Sequence, residues 1–191
     1  NGYGDLQAAM FLAAGICAAV IGREKSGEGD YVTCALQHAG VYALMTGMIS
    51  AQYGNPYPKS RLEVICPFNN VYMTGDGKYL AMCDPEYDRD YNKIMGLIGR
   101  EDLIDEPRLV NCNKMNEAGL NPEVVGIMDE ALAKMTAEEA LKLFKDAGIP
   151  IELCQTPLDV YEDQNVWDND YLVKIHYPEA DRNIPTVPIQ F

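Results

Sequence analysis

Asp5, near the start of the chain, stands where a carboxylate could do chemistry. It follows Gly2 and Gly4 and precedes a long apolar run rich in small residues. Aspartate ahead of a helix is commonly an N-cap, worth about 1 kcal/mol. The same position also suits a nucleophile or a base, because the helix dipole and free backbone N–H groups stabilise negative charge there, and glycines allow a substrate to approach closely. Taken by itself, the sequence around Asp5 leaves both interpretations open.

Other reactive side chains form weaker patterns. The chain has six cysteines without a CxxC pair and only two histidines, far apart, which disfavours a zinc site and a disulfide framework. We expect buried free thiols, no bound metal and no permanently bound cofactor. The cysteines are Cys17, Cys34, Cys66, Cys83, Cys112 and Cys154, and the histidines are His38 and His176.

Two acidic segments resemble binding motifs only superficially. The glycines of "GEGD" (Gly27 to Asp30) lack a following Lys-Ser or Lys-Thr, so a solvated turn is favoured over a phosphate loop. The segment "DPEYDRDY" (Asp84 to Tyr91) gathers four carboxylates around Arg89. An acidic helix start, balanced by the helix dipole, is favoured there over a metal site.

The overall charge excludes some classes of partner. With 29 acidic and 15 basic residues among 191, the formal net charge is −14, which opposes binding to nucleic acid or to anionic lipid. The apolar run from Ala8 to Ile21 is shorter than the about 20 residues of a spanning helix. No basic residue precedes it, as one would in a signal peptide. We therefore expect the buried helix of a soluble protein.

The elements around Asp5 read as an α/β fragment. We expect a helix from Leu6 to Gly22, a charged turn from Arg23 to Asp30, a short buried strand from Tyr31 to Leu36, and a second helix up to Gly54. That order belongs to a mostly parallel sheet, whose other strands would have to come from elsewhere. Because the chain starts at Asn1 without a methionine, we expect it to be a piece of a longer protein.

The second half reads as an α+β unit. A hairpin is predicted around Gly75-Asp76-Gly77, and a Pro-rich linker precedes it. Asn121 is expected to cap a helix that has Pro122 at its first position. Further signals are a capping box of Thr136 and Glu139, a helix end at Gly148, a strand in "IPIELC", a helix opened by Thr156-Pro157, and extended segments in "YLVKIHYP" and "PTVPIQF".

The order of these blocks resembles the family III CoA-transferases (the CaiB/BaiF family). In that family a Gly-Asp begins a small-residue helix and "R…TG.GQ.V..S…A" follows; here the second block reads "GREKSGEGDYVTCAL". The later blocks "TGDGKYLAMC", "DEPRLVNCNKMNE", "GIP" and "PTVPIQF" are similar to the family's in the same order. Ser26, Asp30 and Lys114 replace the usual Thr, Gln and Arg. The resemblance covers nearly the whole chain.

The resemblance implies a role for Asp5 and a division of the chain. Asp5 would be the nucleophile that forms an aspartyl-CoA intermediate, with Gly4, Leu6, Asn69 and Asn70 as oxyanion or substrate-lining candidates. A CoA thioester would be substrate rather than cofactor. The implied fold class is α/β: residues 1–54 from a Rossmann-like large domain, 55–70 a linker, 71–178 a small α+β domain, and 179–191 a return segment.

The same resemblance leaves alternatives. An α-methylacyl-CoA racemase would use the aspartate as a base, but racemases tend to read "ADFAGGG" where this chain reads "GDLQAAM". A non-catalytic fragment that only assembles is a second alternative. The implied partners are an acyl-CoA and a carboxylic acid, in a cytoplasmic enzyme that forms an interlocked homodimer at full length. The sequence is most similar to family members that act on 2-hydroxy acids. We expect the 191-residue chain by itself to have little or no transferase activity.

Overall fold

A computed structural model of the chain describes residues 2–54 and 58–189. It divides into two compact units, Asn1–Lys59 and Ser60–Phe191, which are described separately below. Helices and strands are both present, which confirms the mixed helix and sheet class. Three residues of the predicted linker, 55–57, lie outside the described residues, and the predicted division into four segments stays a prediction.

The first unit contains three helices. They are α1 (Tyr3–Ser26), α2 (Leu36–Ala43) and α3 (Met45–Gln52). α1 is longer at both ends than predicted, because Arg23 to Ser26 continue the helix until Gly27 takes a left-handed conformation (φ 77°) and ends it. The predicted second helix is interrupted at Leu44, which serves as the C-cap of α2 and the N-cap of α3.

The predicted buried strand at Tyr31 to Leu36 is wrong for this structure. Residues 31–35 form no strand, and α2 already begins at Leu36. A strand requires a neighbour to take its backbone hydrogen bonds, and the described part of this unit offers no such neighbour. The segment instead packs on α1 at Val32, since a Cβ on Gly15 would lie 2.9 Å from a methyl carbon of Val32.

α1 is far more exposed than the sequence predicted. Ala8 is its one buried residue among those described, although Phe11 packs edge-to-face on Tyr42 of α2 with ring centroids 5.3 Å apart. α1 has 24 residues, and an 18-residue stretch of it has a mean hydropathy of 1.7, so it is long and apolar enough to cross a membrane by length and composition, although the run from Ala8 to Ile21 is shorter than a spanning helix. Core helices of soluble proteins meet the same criterion, so the feature is weak evidence.

A three-stranded antiparallel sheet forms the base of the second unit. It contains β1 (Asn69–Met73), β2 (Tyr79–Cys83) and β3 (Ile151–Leu153), in the order β1-β2-β3. The predicted hairpin is confirmed, with Val71 opposite Ala81. On the inner face Tyr72, Leu80 and Met82 are almost fully buried, as the alternation of side chains across a strand requires.

Four helices cover the inner face of this sheet. They are α4 (Tyr87–Leu97), α5 (Cys112–Glu117), α6 (Asn121–Leu132) and α7 (Ala137–Asp146). The hydrophobic core lies between these helices and the sheet. Its largest fully buried side chains are Tyr72, Tyr87, Tyr91, Phe68, Phe144, Leu80, Ile94, Met95, Leu109, Met115, Met128 and Leu132.

The predicted N-terminus of α7 agrees with the structure, whereas the predicted N-cap of α6 does not. The capping box is confirmed: Thr136 Oγ1 accepts from the Glu139 amide, and Glu139 accepts from the Thr136 amide. The N-cap of α6 is Leu120 and not Asn121. The Asn121 side chain is buried and donates instead to the carbonyl of Val64, 2.7 Å away, because a buried amide must find hydrogen-bond partners.

The tip of the β1–β2 hairpin is docked on the start of α7. The Gly75 amide donates to the Met135 carbonyl at 2.8 Å. Asp76 Oδ1 accepts from Thr74 Oγ1 at 2.6 Å and from the Ala137 amide at 3.1 Å. The "TGDG" block therefore builds a turn that helps to satisfy the free N–H groups of a helix.

The last part of the chain contains two short helices and a hairpin. They are α8 (Pro157–Glu162), α9 (Gln164–Asp168), β4 (Leu172–His176) and β5 (Asp181–Pro185), with β4 and β5 antiparallel. The helix predicted at Thr156-Pro157 is confirmed, and so is the extended segment "YLVKIHYP". Of "PTVPIQF", only its first residue lies in β5, and the final two residues lie outside those described.

Candidate active site

Asp5 lies within the first turn of α1, not at its N-cap. The N-cap is Gly2, which has a left-handed conformation (φ 65°, ψ 20°) and supplies no side chain. The capping interpretation of Asp5 is therefore wrong, because α1 begins two residues earlier than Asp5. An acidic side chain in the first turn still interacts favourably with the helix dipole.

The backbone around Asp5 contains amide donors that have no acceptor among the described residues. Leu6 donates its N–H to the Gly2 carbonyl at 2.9 Å, so the Leu6 amide is already engaged. The amides of Tyr3, Gly4 and Asp5 have no acceptor among the described residues, as expected for the first turn of a helix. These three amides can receive negative charge that develops beside the carboxylate. The sequence did not single out Tyr3, since it placed the helix start at Leu6.

The glycines keep the space around the carboxylate open. A Cβ on Gly2 would lie 3.5 Å from Asp5 Oδ2, and the positive φ of Gly2 would strain any larger residue. A Cβ on Gly4 would meet nothing within 4 Å. Asp5 itself is exposed. A carboxylate that is exposed and preceded by glycine is accessible to an electrophilic carbonyl carbon.

Asn69 and Asn70 lie on β1, in the second unit, whereas Asp5 lies in the first. Asn69 is exposed. The Asn70 side chain donates to the Arg61 carbonyl at 2.9 Å and accepts from the Val71 amide, so its hydrogen-bonding groups hold the chain in place. As candidates for contact with substrate, both residues stay predictions.

Arg61 holds the segment before β1 against α6 and β1. No sequence motif predicted this role. Its guanidinium forms two 2.8 Å hydrogen bonds to Asp129 of α6 and one of 3.1 Å to the Val71 carbonyl of β1. It also lies over the Tyr72 ring, 5.4 Å from the centroid. Arg61 and Asp129 are 68 positions apart in the sequence, which is too far for a local sequence pattern to predict their pairing.

The acidic segment from Asp84 to Tyr91 is a helix start, as predicted. Asp88 accepts hydrogen bonds from the Asn111 side chain and the Cys112 amide, both at 2.6 Å. Among the described residues no cluster of three or more His, Cys, Asp or Glu side chains could hold a metal ion. The Asp88 carboxylate is thus engaged by the start of α5.

The cysteines are free, but the expectation that they are buried is wrong. Cys17, Cys83 and Cys154 are exposed, and the other three are partly buried. Burial is the chief cause that raises the pKa values of Cys66 and Cys112, that of Cys66 to about 11. Thiols with raised pKa values are poor nucleophiles, which argues against either of them as a catalytic cysteine.

Comparisons with known proteins agree with the resemblance. The model of "CoA-transferase family III" matches residues 1–191. The chain is 37% identical over 194 residues to the cinnamoyl-CoA:phenyllactate CoA-transferase of Clostridium sporogenes, covering 100% of the chain and 47% of the relative. It is 31% identical over 191 residues to the (R)-2-hydroxy-4-methylpentanoate CoA-transferase of Clostridioides difficile, covering 100% and 47%.

Solved structures show the same fold. A CaiB/BaiF family protein from Brucella suis superposes with a TM-score of 0.75 at 18% identity, covering 100% of this chain and 49% of the other. Rv3272 from Mycobacterium tuberculosis superposes with a TM-score of 0.75 at 22% identity, covering 97% and 48%. The chain spans about half the length of the curated relatives it matches. By the family match over its whole length, the chain belongs to CoA-transferase family III.

Proposed function

We propose that the protein containing this chain transfers CoA from an acyl-CoA to a carboxylic acid, with Asp5 as the nucleophile. The observation that carries the proposal is the position of Asp5: exposed, in the first turn of α1, where the amides of Tyr3, Gly4 and Asp5 have no acceptor among the described residues, in a chain of this family. An ionised carboxylate next to such donors suits a reaction that passes through oxyanions.

The proposed reaction proceeds through covalent intermediates on Asp5. Its carboxylate attacks the thioester carbonyl of the acyl-CoA, giving a mixed anhydride and expelling CoA thiolate. The thiolate attacks the aspartyl carbonyl, which forms aspartyl-CoA and releases the donor acid. The acceptor carboxylate then attacks aspartyl-CoA, and the expelled thiolate cleaves the new anhydride at the acceptor carbonyl. The products are the new acyl-CoA and the regenerated Asp5 carboxylate.

A 2-hydroxy acid is the proposed acceptor. The support is two relatives, at 37% and 31% identity, which act on phenyllactate and on 2-hydroxy-4-methylpentanoate.

We further propose that the full-length enzyme is a cytoplasmic homodimer. The large exposed apolar surface of α1, including Met10, Ile16 and Ile21, supports a partner surface in the whole protein.

Substitution of Asp5 in the full-length protein tests the catalytic role. Cinnamoyl-CoA and phenyllactate serve as substrates, and 2-hydroxy-4-methylpentanoate as the second acceptor. Asp5→Ala and Asp5→Asn should lower kcat by at least about a thousandfold, as loss of a nucleophile does elsewhere. Asp30→Asn is the matched control, because Asp30 is an exposed carboxylate of the same unit; its activity should be close to that of the wild type.

Trapping separates transfer from racemisation. With acyl-CoA and no acceptor, the wild type should gain the mass of CoA less one water, and the adduct should map to Asp5. Deuterium exchange from solvent at the α-carbon of the acyl group, without an adduct, would support a racemase instead. Assay of the 191-residue chain by itself, by CoA exchange between a labelled acid and its thioester, should show little turnover.

A further inference from the structure

Two buried carboxyl groups lie where β2 leads into α4. Asp84 follows β2 directly and Asp90 lies in the first turns of α4, and each is 1% exposed. The Asp84 amide donates to the Phe68 carbonyl at 3.1 Å, which fixes its backbone beside β1. Buried carboxyl groups are costly unless they are paired, so each must be accounted for.

Asp90 has the partners of an ionised carboxylate. Its Oδ2 accepts from Arg89 Nε at 2.8 Å and Nη2 at 2.5 Å, and its Oδ1 lies 2.9 Å from Lys93 Nζ. The hydrogen bonds from Arg89 hold the pKa of Asp90 below its ordinary value, and Lys93 lowers it further. Asp90 is therefore ionised at neutral pH.

Asp84 lacks such partners. Its Oδ1 accepts from the Glu86 amide at 3.1 Å, whereas its fully buried Oδ2 has no donor among the described residues. Asp90 belongs to the same cluster, because its amide donates to the Glu86 carbonyl at 3.1 Å and its carboxylate pairs with Arg89, which lines the same cavity as Asp84. An ionised Asp84 would place two negative charges together in a buried site, each able only to accept hydrogen bonds.

The nearby cations are already engaged by other carboxylates. Asp84 lines an open cavity of about 470 Å³. Among the residues that line this cavity, Lys145 Nζ lies 2.7 Å from Glu152 Oε1. Arg89 forms an ion pair with Asp90, and its Nη1 lies 3.9 Å from Glu86 Oε2. The charged and titratable groups around Asp84 on the elements packed against it are Asp90, Arg89 and Glu86 at the start of α4, Lys145 of α7, Glu152 of β3, and Cys66, whose thiol donates to the Asp84 carbonyl.

We propose that Asp84 carries a proton in the folded chain and donates it from Oδ2 to the ionised carboxylate of Asp90. The pair then holds a single proton, which supplies the donor that Oδ2 otherwise lacks and removes one buried charge. In agreement, burial raises the pKa of Asp84, and the charge of Asp90 adds to that rise. The inference concerns a site in the second unit and does not depend on the proposed transfer reaction.

The proton makes the stability of the folded chain depend on pH in a defined direction. Because the pKa of Asp84 is higher in the folded than in the unfolded chain, the folded chain holds more protons between the two values. Stability from this group is therefore full below the ordinary aspartate pKa and falls as pH rises through the raised value. One proton changes the unfolding equilibrium constant by at most about tenfold per pH unit.

Urea unfolding of the full chain from about pH 4.5 to pH 8 tests the proposal with Asp84→Asn, whose amide can donate to Asp90 without a proton to lose. The unfolding constant of the wild type, divided by that of Asp84→Asn, should rise with pH. Asp102→Asn is the control, since hydrogen bonds from Arg100 lower the pKa of the exposed Asp102, and its ratio should be flat in this range. A flat ratio for Asp84→Asn would overturn the proposal.

A second measurement needs no variant. In the wild type with ¹³C-labelled aspartate side chains, the carboxyl carbon of Asp84 should titrate above the ordinary aspartate range and that of Asp90 below it. Two carboxyl groups that both titrate below that range would contradict the shared proton. This result stands even if Asp84→Asn does not fold.

Discussion

Substitution of Gly75 by alanine tests whether the "TGDG" block is structural. An ideal Cβ on Gly75 would lie 2.6 Å from the Ala133 carbonyl oxygen and 3.3 Å from that of Met135. Both obstacles are backbone atoms, so neither can rotate away. The hairpin tip must retreat from α7 by several tenths of an ångström, at an overpacking cost of about 1–3 kcal/mol. The retreat also stretches the hydrogen bond from the Gly75 amide, at a further cost of about 1 kcal/mol.

The expected total for Gly75→Ala is about 2–4 kcal/mol of lost stability. With a denaturant slope of about 2 kcal/mol per molar urea, the unfolding midpoint should fall by roughly 1–2 M, measured by far-UV circular dichroism. Gly126→Ala is the matched control, because Gly126 lies inside α6, a Cβ there meets nothing within 4 Å, and alanine favours a helix by about 1 kcal/mol. If Gly75→Ala unfolds at the wild-type midpoint while Gly126→Ala unfolds at a higher one, the docking of the hairpin on α7 is refuted.

Two further predictions concern the stability of the second unit. Thr136→Ala should cost about 1 kcal/mol because it removes the N-cap of α7, whereas Thr136→Ser should retain most of that stability; equal midpoints for the two variants would contradict the capping role. A double-mutant cycle between Arg61 and Asp129 should give a coupling of about 0.5–1 kcal/mol, since the pair is bidentate but partly exposed. Arg61→Ala should cost more than Asp129→Ala, because Arg61 also bonds the Val71 carbonyl and covers Tyr72, and the reverse order would show that those contacts add nothing.

Local signals predicted the second unit better than the first. The hairpin, the capping box and the amphipathic α4 and α7 are set by residues a few positions apart, such as Thr136 with Glu139. In contrast, the segment from Tyr31 to Leu36 has the composition of a strand but no neighbouring strand among the described residues. Strand formation depends on that neighbour, which composition cannot supply.

The candidate site was predicted in part. Its residue types and their order along the chain pointed to Asp5 and to the family, and the family match confirms the latter. The start of α1 was misplaced, because glycine at an N-cap carries no side-chain signal. As a result the candidates near Asp5 were Gly4 and Leu6 but not Tyr3, whereas in the structure the Leu6 amide is engaged by Gly2 and the amides of Tyr3, Gly4 and Asp5 have no acceptor among the described residues.

The sequence by itself determined the family, the apolar character of α1, and the turn and cap residues, since these depend on residue type and short spacing. The tertiary structure decided the partners of groups that are distant in sequence: Arg61 with Asp129, the hairpin tip with α7, and Asn121 with Val64. Such pairings follow from how the sheet and helices pack, because the packing decides which distant groups come within hydrogen-bond distance, and most buried polar groups have such a partner.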